Sequence, residues 1–441
     1  MAERRPTRVL LTGDSMITRR VTRTLDPAVQ NLIELVQTAD VAFTNLEVLP
    51  NDFRGYPAEE SGGTHLAARS WVVDDLLDFG FTLFACANNH SLDYGVEGLL
   101  ATIEELEARE VAFAGIGRNL DLARAPAYFE HRGGIAALLA CASTFARGQQ
   151  AGAQRPELPG RPGLNPLRVE TTYEVTLQQL AALREVAETL GLEQQRLERI
   201  QLGFAFPPDD PEVFPFLEAR FRPAERPAVR TVPNRRDLEA ILAWIRDARR
   251  RADLVIVSVH AHEQGATKED PAEFLVTFAH AAVDAGADVV VGHGPHLLRG
   301  MELYRGKPIF YSLGNFIAQN ELVELLPADA YERFRADPMM TPSQVFLQRN
   351  DNERRSFPAD RRYWQTVVPI CEFTGSDLEQ IQLVPVSLGF GQPVYRRGQP
   401  RLAEGEEAAE ILERFAALSR PFGTAIRIEG DRGLVEFPAG A

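Results

Sequence analysis

Residues 288–296 read DVVVGHGPH, an apolar run that ends in two histidines, His293 and His296. A short continuous apolar run bounded by glycine and proline is typical of a buried β-strand. In layered α/β proteins, ligands bind beyond the carboxyl ends of parallel strands. The stretch therefore predicts an α/β sheet with a functional site at its strand ends.

The same pattern, an apolar run ending in polar or ionisable residues, recurs along the chain. It occurs in RVLLTGD (8–14), DVAFTNLE (40–47), FTLFACANNH (81–90), DLVIVSVHAH (253–262) and KPIFYSLGN (307–315), and helical patterns lie between these runs. The runs end in Asp14, Glu47, Asn88 to His90, His260 and His262, and Asn315. A turn after the strand explains any one of them, but recurrence at six strand ends, with that of 288–296, favours convergence on one site.

Composition excludes several classes of protein. The chain has 441 residues, of which 45% are hydrophobic and 25% charged, as in ordinary globular proteins. Its net charge of −15 argues against a nucleic-acid partner or attachment to anionic lipid by charge. The apolar run Val9–Leu11 is too short for a signal-peptide core or a membrane span, so we expect a cytoplasmic protein that does not associate with membranes. The three cysteines are far apart and offer no metal-binding spacing.

Two segments interrupt the alternation of strands and helices. Residues 146–235 are rich in proline, glycine and glutamine around a predicted long helix at 174–201, and residues 319–364 carry many charges. Insertions of this size are usually lids, substrate-binding elements or oligomer contacts. We predict one domain over residues 1–400 that contains both insertions, followed by a C-terminal helix and β-hairpin over 401–441 packed on it.

In this order, the motifs resemble the CapA family of poly-γ-glutamate capsule synthesis proteins, a branch of the calcineurin-like metallophosphoesterase superfamily. The matching strings include LLTGDSM (10–16), ADVAFTNLEVLP (39–50), FACANNHSLDYG (84–95), FAGIGRNLDLARAP (113–126), LVIVSVHAHEQ (254–264) and GHGPH with YSLGNF (292–316). The resemblance implies a calcineurin-like four-layer α/β/β/α sandwich, with the two insertions added to it and a metal site at the strand ends.

The resemblance also implies the ligands of that metal. They are Asp14, Glu47, Asn89, His260 and His293, with His262 as a further member of the histidine set. Where the two-metal phosphoesterases of the superfamily usually have Asp-x-His, Asp14 is followed by Ser15 and Met16, so one nitrogen ligand is missing. The remaining mixture of hard oxygen and imidazole ligands favours a single divalent ion, Ca²⁺, Mn²⁺ or Mg²⁺.

Four residues are predicted to be catalytic: His90, Asp93, His296 and Asp14. His90 matches the family's acid/base histidine, and Asp93 lies three residues further on, close enough to orient its imidazole. A helix cap ahead of Tyr94 explains Asp93 nearly as well. Asp14 can orient a second histidine in the same way, either His293 or His296.

The predicted function is a metal-dependent enzyme acting on a peptide. Within the family, the chain resembles the soluble epimerase of lasso-peptide biosynthesis, and two histidines held by carboxylates suit cofactor-independent inversion of a Cα centre in ribosomal peptides. The alternatives are a metal-dependent hydrolase of a phosphoester or amide, a poly-γ-glutamate biosynthesis protein, and a non-enzymatic scaffold. The sequence leaves the oligomeric state open.

A peptide substrate requires a groove longer than the metal centre itself. Both insertions follow predicted strands, so we expect them to border the metal cleft. The second carries Arg354, Arg355, Arg361 and Arg362, and a guanidinium binds a carboxylate in bidentate fashion. At least one of these arginines is predicted to contact an acidic group of the substrate.

Overall fold

The structure, a computed structural model, describes residues 6–437. Its strands are β1 (Thr7–Met16), β2 (Val41–Leu46), β3 (Leu83–Ala85), β4 (Ala112–Ala114), β5 (Ile116–Gly117), β6 (Ala127–His131), β7 (Gly134–Ala142), β8 (Gly163–Leu164), β9 (Val169–Val175), β10 (Phe214–Phe216), β11 (Ala219–Pro223), β12 (Ala228–Pro233), β13 (Leu254–His260), β14 (Val289–His293), β15 (Leu298–Tyr304), β16 (Lys307–Leu313), β17 (Asn315–Ala318), β18 (Gln365–Thr374), β19 (Asp377–Ser387), β20 (Arg401–Leu402), β21 (Ala425–Glu429) and β22 (Arg432–Glu436).

The α-helices alternate with many of these strands. They are α1 (Pro27–Gln37), α2 (Trp71–Phe79), α3 (Gly95–Ala108), α4 (Leu120–Arg124), α5 (Leu177–Thr189), α6 (Leu192–Gln201), α7 (Arg235–Arg249), α8 (Glu273–Asp284), α9 (Ala328–Arg333), α10 (Pro342–Arg349) and α11 (Gly405–Ser419).

Two large sheets lie at the centre of the fold. The larger has the order β21-β22-β19-β18-β1-β2-β3-β4, with β17 paired to β1 and β20 to β19. The smaller has the order β15-β16-β14-β13-β7-β6. Strands β1 to β4 are parallel to one another, as are β7, β13, β14 and β16. The carboxyl ends of each parallel set therefore share one edge of their sheet.

Side chains of the smaller sheet alternate between two hydrophobic cores. In β13, Leu254 and Ile256 belong to the core shared with the larger sheet and with α1, α2 and α3. Val255 and Val257 face the other way, into a second core built with α7 and α8. This period of two is the pleat of a strand buried on both faces. The layers are therefore helix, sheet, sheet and helix, and the predicted α/β sandwich is confirmed.

The first insertion forms a unit with its own small core. Strands β9 to β12 make a four-stranded sheet, and α5 and α6 pack on it through a core that includes Leu180, Ala187 and Phe214. The prediction of one helix over 174–201 is wrong. Gly191 has a left-handed φ of 70° at the start of α6, which separates the two helices.

The C-terminal segment is continuous with the larger sheet. Helix α11 packs against β15, β18 and β19, and β22 pairs with β19, so the predicted hairpin extends that sheet. The predicted boundary between residues 1–400 and 401–441 stays a prediction, and its outermost residues, 1–5 and 438–441, lie outside the described residues.

Candidate metal centre

Strand ends from both sheets meet at one place. Asp14 lies near the end of β1, and Glu47 directly follows β2. His260 and His293 are the last residues of β13 and β14, and the register of the smaller sheet pairs them. All four side chains are buried. The convergence expected from the strand pattern is what the structure has.

Gly13 lets the two sheets approach each other at this point. A Cβ at Gly13 would lie 1.9 Å from the carbonyl oxygen of Gly314, a distance that real Cβ atoms do not show. The next amide, that of Asp14, donates a hydrogen bond of 2.9 Å to the same oxygen. Glycine is therefore required before Asp14 so that its carboxylate can reach histidines of the other sheet.

The carboxylate of Asp14 is surrounded by nitrogen atoms. Asn45 Nδ2 donates to its Oδ1 at 2.8 Å, and His293 Nδ1 lies 3.4 Å from the same oxygen. His296 Nδ1 lies 3.5 Å from Oδ2. Burial alone would raise the pKa of Asp14, but its contacts with His293 and His296 outweigh burial and hold the pKa well below its usual range. Asp14 is therefore an ionised ligand candidate.

Glu47 lies at the centre of the histidine cluster. Its Oε1 is 3.8 Å from Nε2 of His90, 3.8 Å from Nε2 of His260 and 3.9 Å from Nε2 of His296. Neither of its carboxylate oxygens has a hydrogen-bond partner within residues 6–437, although both are buried. Burial and the neighbouring charge of Asp14 raise the pKa of Glu47 well above its usual value. A buried carboxylate in this position is one that a cation would stabilise.

The histidines at the end of β13 are held in the uncharged form that a metal requires. Burial lowers the pKa of His260 to about 3, and burial also lowers the pKa of His262 well below its usual value. Their Nε2 atoms lie 3.0 Å apart. Since a metal binds the neutral imidazole, both rings can act as ligands at physiological pH.

The donor set fits a divalent metal ion. Two groups of side chains have ligand atoms that all lie within 4.8 Å of one another: Asp14, Glu47 and His260, and Glu47, His262 and His296. Three further buried atoms of predicted ligands lack hydrogen-bond partners among the described residues, namely Asn89 Oδ1 and both ring nitrogens of His293. Buried polar atoms are almost always hydrogen-bonded. Several unpaired donors and acceptors at one place therefore fit a site where a metal ion is their partner.

His90 is oriented from its outer side. Its Nδ1 lies 2.7 Å from Asp93 Oδ2, which also accepts a hydrogen bond from the amide of Leu66. Asp93 does not cap α3, whose N-cap is Tyr94. The contact is the one expected from their spacing, and it leaves His90 Nε2 facing Glu47.

His296 has an unusual backbone. Its φ of 62° lies in the left-handed region, which is rare for a residue with a side chain. Its Nδ1 is 2.9 Å from Asn315 Oδ1, and its ring lies 5.2 Å from that of Phe357. Because His296 belongs to one of the two ligand groups, the structure makes it a ligand candidate as well as the predicted catalytic residue.

A cleft of about 550 Å³ opens beside the centre. His90 and His296 line it together with Phe346, Arg349 and Phe357 from the second insertion, so that insertion borders the metal cleft as expected. Among residues 6–437, the lining includes no residue of the first insertion, 146–235. That part of the prediction is not met by this cleft.

The arginine that reaches the cleft is not one of the four expected. Arg361 pairs with Glu410 and Arg362 with Asp360, while the cleft is lined by Arg349. Sequence periodicity offered a signal for it, because Arg349 follows the buried Val345 and Phe346 of α10 by four and three residues. Those spacings put the three side chains on one face of the helix. Asn45 was missed in the same way: it lies two residues before Glu47, on the same side of the strand.

The sandwich fold and its carboxylate- and histidine-lined strand edge define a calcineurin-like α/β protein with a candidate metal centre. The chain belongs to the family of the bacterial capsule synthesis protein PGA_cap, whose model matches residues 8–320. It is 35% identical over 436 residues to an uncharacterized protein of Sinorhizobium fredii, y4sH, covering 96% of this chain and 91% of that one.

Two relatives have names that mention a biosynthetic process. The capsule biosynthesis protein CapA of Bacillus anthracis is 26% identical over 314 residues, which are 70% of this chain and 58% of that protein. The PGA biosynthesis protein CapA of Bacillus subtilis is 27% identical over 253 residues, 57% of this chain and 47% of that protein. These similarities support one of the alternatives drawn from the sequence, a poly-γ-glutamate biosynthesis protein, better than they support peptide epimerisation. Within residues 6–437, no helix has both the length and the apolar character needed to cross a membrane.

Proposed function

We propose that this protein is a metal-dependent hydrolase that cleaves an amide bond of a glutamate polymer during the biosynthesis of that polymer. The family and the names of the two CapA relatives support the choice of polymer. The observation that carries the enzymatic part is the set of orphaned ligand atoms next to an oriented imidazole in an open cleft. A scaffold protein has no need of either.

The ligands of the ion are Asp14, Glu47, His260, His262 and His293, with Asn89 as the amide oxygen. We propose a single Mn²⁺, Mg²⁺ or Ca²⁺ ion, because half of this set consists of hard oxygen donors. When bound, such an ion polarises a carbonyl group and lowers the pKa of water, which favours attack at neutral pH. Asp14 and Glu47 supply the negative charge that holds it.

His90 handles the proton of the reaction. Asp93 accepts the hydrogen bond from Nδ1–H, so the proton that is exchanged with the substrate is the one at Nε2. In hydrolysis, the oxygen of water bonds to the carbonyl carbon, the carbon–nitrogen bond breaks, and the departing nitrogen takes a proton. His90 Nε2 first takes a proton from the attacking water and then gives it to the departing nitrogen. Asp93 stabilises the imidazolium that exists between the two transfers.

Epimerisation is a second candidate, favoured by one observation. His90 and His296 both line the cleft, and each has its Nδ1 held by another side chain, Asp93 or Asn315. Inversion at Cα needs one group to remove a proton and another to return one from the opposite face. Two oriented imidazoles meet that need.

One experiment tests both reactions. The protein is loaded with Mn²⁺ and incubated with oligo-γ-glutamate chains, in H₂¹⁸O and separately in D₂O, and the products are analysed by mass spectrometry. Hydrolysis gives shorter chains with one ¹⁸O in each new carboxyl group. Epimerisation gives full-length chains that gain deuterium at Cα. Intact, unlabelled chains in both solvents would overturn both proposals.

Two histidine variants separate the site from the rest of the protein. His90→Gln removes the exchangeable proton, and we expect a rate about 10²- to 10⁴-fold lower with unchanged Mn²⁺ content. His280→Gln is the matched control, because His280 pairs with Glu302 in a half-buried position outside the cleft. Equal loss of rate in both variants would contradict the role of His90.

A further inference from the structure

The cleft beside the metal centre has one strongly polar wall. Arg349 is the only lysine or arginine that lines it among the residues the structure describes, and the metal-centre histidines His90 and His296 line it too. The lining also includes the aromatic side chains Phe346 and Phe357, the carboxylate of Glu321, and Gly62 and Gly63. A ligand in this cleft would touch the arginine and the catalytic side at once.

The guanidinium of Arg349 is held in position but not neutralised. Its Nη1 donates a hydrogen bond of 2.9 Å to Thr64 Oγ1, and its central carbon lies 4.8 Å from the ring of Phe334. Within residues 6–437, no carboxylate oxygen lies within 4.0 Å of a nitrogen of this guanidinium. The nearby Glu321 is instead paired with Arg397.

A cation of this kind is unusual inside a protein. Half-buried arginines normally pair with a carboxylate, because the desolvated charge is otherwise costly. Partial burial and the charge of Arg333 lower the pKa of Arg349, and the negative charge of Glu321 offsets this only in part. Among the residues that the structure describes, four of its five N–H groups have no hydrogen-bond partner. They are free to bind an anion in the planar, bidentate geometry that carboxylates fit.

We propose that Arg349 binds a carboxylate of the substrate and so selects an acidic chain for the metal centre. This inference rests on the proposed function and specifies it: the chain to be cleaved carries a free carboxylate next to the reacting amide, as each unit of a γ-linked glutamate polymer does. Thr64 and Phe334 act as positioning residues that aim the guanidinium.

The test compares two ligands and several variants. One ligand is a fluorescently labelled oligo-γ-glutamate, and the other is the same chain with carboxamides in place of its α-carboxylates. Binding is measured by fluorescence anisotropy with Mn²⁺-loaded protein in the His90→Gln background, which keeps the chains intact. Arg349→Gln is expected to weaken binding of the acidic chain about ten- to hundredfold, the range for hydrogen bonds to a charged group. Binding of the carboxamide chain should not change.

Arg354→Gln is the matched control, because Arg354 is an exposed arginine of the same insertion outside the cleft lining. It should bind both chains as the parent does. Arg349→Lys keeps the charge and loses the planar guanidinium, so an intermediate loss of binding of the acidic chain is expected. If Arg349→Gln contains less Mn²⁺ than the parent, the test rests on Arg349→Lys instead. Equal weakening of both chains by the Arg349 variants, or no weakening of either, would overturn the proposal.

Turnover in the parent protein distinguishes this failure from that of the proposed function. Cleavage of the acidic chain with the same KM in wild type and Arg349→Gln would overturn the anchor alone. Binding that depends on Arg349 without any cleavage by wild type would overturn the hydrolase and leave the anchor in place. Neither binding nor cleavage of the acidic chain would overturn both.

Discussion

Replacing Glu47 by glutamine should stabilise the metal-free protein and reduce the stability that a bound metal ion adds. In wild type without metal, both carboxylate oxygens of Glu47 are buried without a hydrogen bond, and Asp14 is a neighbouring negative charge. In Glu47→Gln the charge is gone, and the new amide group can donate to Asp14. Removing an unpaired buried polar group is worth about 1–3 kcal/mol, so the metal-free variant should be the more stable protein.

The size of the effect follows from the length of the chain. With about 2.1 cal/mol/K of unfolding entropy per residue, a chain of 441 residues shifts its Tm by about 1 °C per kcal/mol. Metal-free Glu47→Gln should therefore melt about 1–3 °C above wild type. An ion at a hundred times its Kd adds about 2.7 kcal/mol to wild type, or about 3 °C, and adds less to the variant, which has lost a charged ligand.

The pH dependence gives a second check on the same variant. The pKa of Glu47 in the metal-free protein is raised above its usual value of 4.5. Between pH 4.5 and that raised pKa, the folded wild type therefore holds a proton that the unfolded chain has released. Relative to Glu47→Gln, wild type should lose stability as the pH rises from about 4.5 to the raised pKa and should then stay constant. Below pH 4.5 the difference that comes from this proton should vanish.

Calorimetry on both proteins, with a chelator and then with Mn²⁺, measures these shifts. A metal-free Glu47→Gln protein that melts below wild type would refute the reasoning about the unpaired carboxylate. An equal gain from Mn²⁺ in both proteins would show that Glu47 is not a ligand.

Two further results are expected from the same site. Asp93→Asn should reduce turnover about a hundredfold with unchanged Mn²⁺ content, because the amide no longer enforces the proton at His90 Nδ1; loss of the metal instead would mean that Asp93 supports the ligands rather than the proton transfer. Gly13→Ala should lower the free energy of unfolding by about 1–3 kcal/mol and weaken Mn²⁺ binding, because its Cβ would push Gly314 away and displace Asp14. Normal Mn²⁺ affinity in that variant would show that the close approach is not needed for the centre.

The strand ends could be predicted from sequence because the physics there is simple. A continuous apolar run predicts a strand that is buried on both faces, and the carboxyl ends of parallel strands lie at one edge of the sheet. Asp14, Glu47, His260 and His293 meet for that reason, although 278 residues of the chain lie between Asp14 and His293. No feature of the intervening chain had to be understood first.

The insertions resisted prediction because no such rule covers them. Charge alone suggested arginines 354 to 362, but an exposed arginine pairs with whichever carboxylate is near, as Arg361 does with Glu410. The packing of the short helix α10 determines which guanidinium points into the cleft. In the sequence, only the apolar residues Val345 and Phe346 indicate which face of that helix is buried. The helix break at Gly191 is similar, since a glycine tolerates both continuation and interruption and the neighbouring fold decides between them.

The left-handed backbone of His296 means that the stability of the fold and the chemistry of the site favour different residues at this position. A side chain in that region of φ costs on the order of 1 kcal/mol, and glycine would adopt it without cost. Selection for stability alone would therefore favour replacing His296 by glycine. Only selection for the reaction opposes that replacement. Histidine kept at this position in descendants of the chain would therefore indicate selection for the reaction.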